Sequence, residues 1–110
     1  MAFDQGLAQR LREQLAATTS RLAEKQMFGG LAFLVDGNMC VGVMGEELIA
    51  RVGLDATDAA LQRPGSRLFD FSGRPMKGWV TVDPAVLDAD EVLAGWVDEG
   101  LRFVRTLPPK

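Results

Sequence analysis

Two uninterrupted apolar runs, residues 31–35 and 39–44, flank the turn sequence Asp36-Gly37-Asn38. Nothing else in the chain constrains its fold as strongly. Asp-Gly between apolar runs supplies the positive backbone angles of a tight hairpin, so the runs are predicted to be neighbouring antiparallel strands. Gly45-Glu46 gives a second turn, and residues 47–52 alternate well enough for a further strand. Upstream, residues 24–28 read as a strand broken at Gly29-Gly30, where the glycines are read as a bulge that redirects it. Neither interior run alternates polar with apolar residues. They are therefore expected to be central strands covered on both faces, one by helices and the other by a partner subunit.

Helices are predicted at both ends. Leu7, Leu11 and Leu15 recur at four-residue spacing behind Asp4, a suitable N-cap, and Thr18-Thr19-Ser20 closes the segment. Near the C-terminus, Leu93, Trp96, Val97, Leu101 and Val104 make one apolar stripe, with Val92 at its edge and Gly100 inside it. Asp88 is read as the N-cap of this helix and Glu91 as its capping-box partner. Between the ends, Asp55 is expected to cap a short helix that stops before Pro64-Gly65. Residues 67–71, with Phe69 and Phe71 on one face, and residues 76–82 read as strands joined by the turn Ser72-Gly73-Arg74-Pro75. The order implies an α+β fold: a mainly antiparallel meander sheet with helices packed on it, in a single domain spanning residues 1–110.

Composition removes whole classes of chemistry. The 110 residues contain no histidine and no tyrosine. Ser-His-Asp and Cys-His catalysis are thereby excluded, together with the commonest metal ligand. Cys40, the single cysteine, lies in an apolar run and reads as a buried inert thiol, the other reading being a redox or intermolecular role. No metal and no cofactor is expected. Residues 1–6 lack the features of a targeting segment, and the apolar runs are too short to span a bilayer, so a cytoplasmic location is expected, with no membrane partner. The net charge of −3 argues against strong nonspecific binding of nucleic acid.

That net charge hides an asymmetry. Residues 63–77 carry Arg63, Arg67, Arg74 and Lys77 against Asp70 alone, whereas residues 83–99 carry six carboxylates and no cation. Within the basic stretch, Arg74, Lys77 and Trp79 form the most site-like group. Strand alternation would place Lys77 and Trp79 on one face, and Arg51 is a candidate to join them from a neighbouring strand. The competing reading makes Trp79 core and the cations a solvated surface. Met27, Met39, Met44 and Met76 are read as core filling, against the alternative of an adaptable surface.

Several segments together resemble the TfoX N-terminal domain family of bacterial proteins. They are Met27-Phe28-Gly29-Gly30-Leu31-Ala32-Phe33, Arg51-Val52-Gly53, Phe69-Asp70-Phe71, Gly73-Arg74-Pro75-Met76-Lys77-Gly78-Trp79-Val80 and Leu107-Pro108-Pro109-Lys110. The resemblance runs nearly end to end and implies a compact α+β domain, standing here without the helical C-terminal domain of the competence regulator. It transfers no catalytic residue. Three functions follow as expectations. The preferred one is a non-enzymatic regulatory or adaptor module binding a protein partner, with a homodimer included. The second is a binder of a small anion or nucleic-acid segment through Arg51, Arg74, Lys77 and Trp79. The third is an enzyme working with Lys, Asp or Glu alone.

Overall fold

In the computed structural model, which describes residues 3–19, 21–27, 29–71 and 73–110, the two apolar runs are adjacent strands at the middle of one sheet. The elements in order are α1 (Gln5–Ala16), β1 (Leu22–Met27), β2 (Gly30–Val35), β3 (Asn38–Met44) and β4 (Glu47–Arg51), then α2 (Thr57–Leu61), β5 (Ser66–Phe71), β6 (Arg74–Val82), α3 (Pro84–Leu87) and α4 (Asp90–Val104). All six strands form one antiparallel sheet in the order β1-β2-β3-β4-β6-β5. The meander turns where the sequence predicts. Asp36 and Gly37 both take positive φ, 53° and 83°, and Met44 pairs with Glu47 across the Gly45-Glu46 turn.

Every helix contributes to a core on one face of the sheet. Leu7, Leu11 and Leu15 of α1, Ala60 of α2, Leu87 of α3 and the stripe of α4 pack with Phe33, Val41, Val43, Leu48, Ala50, Val80 and Val82. Leu93, Trp96, Val97, Gly100, Leu101 and Val104 are the buried residues of α4, as the spacing predicts. Helix and sheet approach closely at Gly100. A Cβ there would lie 2.8 Å from Cys40 Sγ and 2.9 Å from the Cys40 carbonyl oxygen. Cys40 is itself displaced toward the helix by a bulge. Phe33 pairs with Val41 and Leu34 with Met39, which leaves Cys40 as the extra residue of β3.

Three local expectations need correction. The glycines at 29 and 30 do not bulge a continuous strand: Met27 pairs with Gly30, so they belong to the turn between β1 and β2. Gly30 sits in the ladder, where a Cβ would come within 2.2 Å of the Val43 carbonyl oxygen. Asp88 is not the N-cap of α4 but ends α3, a turn capped by the Asp83 carboxylate accepting from Ala85 N–H. The N-cap of α4 is Ala89, which makes no side-chain cap, and the carboxylates of Asp90 and Glu91 lie in the first turn instead. Asp55 likewise falls one residue short of the α2 N-cap, Ala56, and the buried Thr57 hydroxyl donates to the Gly53 carbonyl at 2.7 Å. Asp4 does cap α1, accepting from Leu7 N–H at 3.1 Å. The expectations placed on Ser20, Phe28, Ser72 and the side chain of Phe71 fall outside the described residues.

Both ends are tied to the sheet. Asp4 N–H donates to the Gly45 carbonyl, and Arg10 joins α1 to α3 and α4 by donating to the Leu87 carbonyl at 2.8 Å and to Asp90 at 3.0 Å. At the other end, Lys110 N–H donates to the Asp36 carbonyl and Asn38 Nδ2 to the Pro108 carbonyl.

Gly100→Ala is expected to cost about 1–3 kcal/mol by denaturant titration, because the added methyl meets backbone as well as sulfur. The caps separate cleanly. Asp4→Ala is expected to lose about 0.5–2 kcal/mol, while Asp88→Ala stays within about 0.5 kcal/mol.

Candidate functional site: the uncovered face of the sheet

Side chains alternate across a strand, so a core on one face leaves a second set pointing the other way. The register assigns that set. Lys25 and Met27 of β1 align with Ala32 and Gly30, Gly42 of β3 aligns with Ile49 of β4, and Arg51 aligns with Trp79 of β6. Among the described residues, the helix side chain recorded against this set is Phe103 of α4, which meets Arg51 at the margin. Met27, Ala32, Gly42, Ile49 and Trp79 of this set line an apolar pocket of about 90 Å³ whose walls come from all six strands. Met27, Met39, Met44 and Met76 supply much of that wall, with Ile49, Phe69 and Trp79. Gly42 forms part of its floor. In a flat sheet, β1 and β5 would lie about 24 Å apart, five strand spacings. Both line this one pocket, so the sheet curls toward the uncovered face. The bulge at Cys40 and the irregularity in β6 supply that curl.

The methionines are therefore not core filling. None belongs to the buried core, and Met76 is 40% exposed. Spacing alone gave no means of telling a methionine on the core face from one on the other face, because both interior strands are apolar on both sides.

The four residues singled out from the sequence divide into a pair and two separate cations. Arg51 and Trp79 do come together: the Arg51 guanidinium lies 5.1 Å from the Trp79 ring centroid and 5.2 Å from that of Phe103 on α4. It also donates to the Met39 carbonyl at 3.4 Å. Contact with both rings holds the planar group in place beside Trp79, which lines the pocket. Lys77 and Trp79 do not share a face by simple alternation. Leu68 pairs with Val80 and Phe69 with Met76, so Lys77, Gly78 and Trp79 have no partner on β5. Gly78 takes φ +98°, which reverses the pleat and places Trp79 beside Met76 in the pocket, with Lys77 outside it. Arg74 opens β6 opposite Phe71, beyond the end of β4, and pleat alternation sets it on the face of Met76.

Among the described residues, no carboxylate forms an ion pair with Lys25, Arg51, Arg74 or Lys77. The other cation of the uncovered face, Arg67, is neutralised by Glu47. The exposed carboxylates Asp83, Asp88, Asp90 and Asp98 belong to α3, α4 and their flanks, on the covered side. Of the basic stretch, Arg67 and Arg74 fall on the uncovered face, whereas Arg63 lies against Trp96 of α4 on the covered side.

Elsewhere, titratable groups serve packing. Arg12 on α1 grips Glu24 on β1 through two contacts, and this hydrogen bonding holds the Glu24 carboxyl below its usual range. Arg63 stacks on Trp96 at 3.8 Å, over the small Gly95. Burial pushes the Cys40 thiol up to about 12. Among the described residues, no three His, Cys, Asp or Glu side chains gather as a metal site would require, and no helix is long and apolar enough to cross a membrane.

These features define an α+β domain with helices on one side of a curled antiparallel sheet and an uncovered apolar face on the other. The chain belongs to the TfoX N-terminal domain family, whose model matches residues 13–104. No curated protein and no solved structure matches it.

Because only the thiolate reacts, Cys40 in the folded protein should resist thiol reagents at pH 8 and be labelled fully in denaturant. Rapid native labelling, followed by mass spectrometry, would show that the bulge opens.

Proposed function

We propose that this chain is a non-enzymatic regulatory or adaptor module that binds a protein partner through the uncovered face of its sheet. The observation carrying this reading is the methionine-lined pocket: an apolar hollow built from all six strands, on the face that no helix covers. Unbranched thioether side chains re-pack around different shapes, which suits adaptable protein contacts. Hydrocarbon and thioether walls hold a side chain but offer no group to move a proton, so the pocket favours binding over catalysis. At about 90 Å³ the pocket is smaller than the roughly 150 Å³ void that admits benzene, so it fits one aliphatic side chain better than a ring cofactor. Membership of a family associated with regulatory and competence-related roles supports the same reading.

A second reading has its own observation. Arg74 and Lys77 are exposed at the β5–β6 hairpin and, among the described residues, have no carboxylate partner, which favours binding of an anion or a nucleic-acid segment there. Charge reversal at both positions would then abolish a salt-dependent interaction with a short single-stranded oligonucleotide, with the melting temperature unchanged.

The protein-binding reading is tested at Met76. Met76→Asp puts a charge on the mouth of the pocket at an exposed position, so the melting temperature should fall by less than about 4 °C. Crosslinking in a native extract, scored by mass spectrometry, should recover partners with the wild type and with Asp98→Lys on the covered side, but not with Met76→Asp. Equal recovery by all three proteins would remove the uncovered face from the function.

A further inference from the structure

The uncovered face carries enough chemistry to specify what lies on it. We infer that its occupant is an acidic amphipathic helix of a partner protein, docked with one aliphatic side chain in the methionine pocket and carboxylates on Lys25, Arg51 and Arg74. This rests on the protein-binding reading above and names the partner class for the same face.

Three observations converge on it. The first is backbone satisfaction. A segment laid on the face of a sheet, rather than along its edge, finds no strand to complete its hydrogen bonds, because those of the sheet are already paired within its ladders. Only an element whose backbone bonds are internal can cover such a surface without leaving buried donors and acceptors unpaired. A helix meets that condition. The opposite face of this sheet is covered in the same way, by the apolar stripe of α4 with Asp90 and Glu91 in its first turn.

The second observation is charge. Strand alternation leaves Lys25, Arg51 and Arg74 on the uncovered face, on β1, β4 and β6, and among the described residues none of them is paired with a carboxylate. Glu47, the carboxylate on that face, is already bound to Arg67. A neutral apolar segment would fill the pocket but leave the three cations of that face uncompensated. A basic segment would be repelled. A second copy of this chain, packed face to face, would bring six such cations to one interface with no free carboxylate from either face. Charge complementarity thus selects an acidic occupant over a homodimer.

The third observation concerns geometry. Lys25 and Arg51 stand three strands apart, about 14 Å across a flat sheet and less across a curled one. Residues on a helix surface recur about every 5.4 Å along the axis. Carboxylates three or four residues before and after an aliphatic anchor therefore reach cations on both sides of the pocket. Arg51 is held ready for this by Trp79 and Phe103, so little side-chain freedom is lost when it pairs.

The experiment uses three synthetic helical peptides sharing one leucine stripe and differing only in flanking residues: glutamate, glutamine or lysine. Binding is read from methionine methyl resonances after carbon-13 methyl labelling, since four of the five methionines line the pocket. The glutamate peptide should shift the Met27, Met39, Met44 and Met76 methyls. It should bind about tenfold or more tightly than the glutamine peptide at low salt, with the difference shrinking as salt rises. The lysine peptide should not bind. Protein carrying Lys25→Glu with Arg74→Glu should reverse that order. Equal binding of the glutamate and glutamine peptides, with the same methyls shifted, would overturn the acidic class and leave the face as a docking surface. No methyl shift with any peptide would overturn the inference, while the crosslinking comparison at Met76 judges the docking face independently. Sedimentation of the protein alone supplies the last outcome: a dimer that Met76→Asp dissociates would also overturn the inference by placing a second copy on the face.

Discussion

The contact on which the remaining architecture depends is the one between Gly100 and Cys40. A helix packed on a sheet normally stands off by the depth of the side chains between them. Here a residue with no side chain faces a strand residue that the bulge has turned toward it, and helix backbone and strand backbone come close. That close approach lets Trp96, Val97, Leu101 and Val104 reach into the core and bury nearly all of their surface. The bulge adds local twist, which helps curl the sheet away from the helices. Tight packing on one face and a hollow on the other thus share a cause.

Aromatic rings and arginines do related work at three places. Arg63 covers Trp96 at the outer side of α4, Arg51 lies against Trp79 and Phe103, and Arg12 approaches Phe33 while holding Glu24. In each, a planar cation with a long apolar stem covers ring surface that would otherwise meet water. In a chain without tyrosine or histidine, arginine is the side chain that joins apolar surface to solvent at these points. Of the three, Arg51 is the one stacked on a ring that lines the methionine pocket, that of Trp79, so there a packing device doubles as a recognition element.

Much of the architecture was legible in the chain because two signals were strong. Asp36-Gly37 between apolar runs has few alternatives to a hairpin, and the stripe from Leu93 to Val104 has one face to bury. The caps were less legible. Asp83, Asp88 and Asp90 are all plausible caps, and the choice depended on a one-turn helix, α3, too short to show periodicity. For the candidate site, Arg51, Arg74 and Trp79 could be named, but the four methionines around them were read as core filling, with an adaptable surface only as the alternative. The reason is geometric: an apolar residue looks the same in sequence whether it faces the core or the uncovered side. The grouping of Lys77 with Trp79 failed because Gly78 breaks the period of two on which it was based.

The strand order also sets how the chain finds this structure. Of the five ladders, four join strands consecutive in sequence, β1-β2, β2-β3, β3-β4 and β5-β6, and each closes through a short turn. Such hairpins form on a scale of microseconds at little cost in chain entropy. The exception is β4 with β6, where Arg51 must meet Trp79 across α2 and β5. That step joins two separately formed halves by closing a loop of residues 52–78, and α4 gains its full platform of β3 and β4 while crossing back over them. The slow event in folding is therefore the union of two local hairpin systems rather than the formation of either, and it is this union that completes the walls of the methionine pocket.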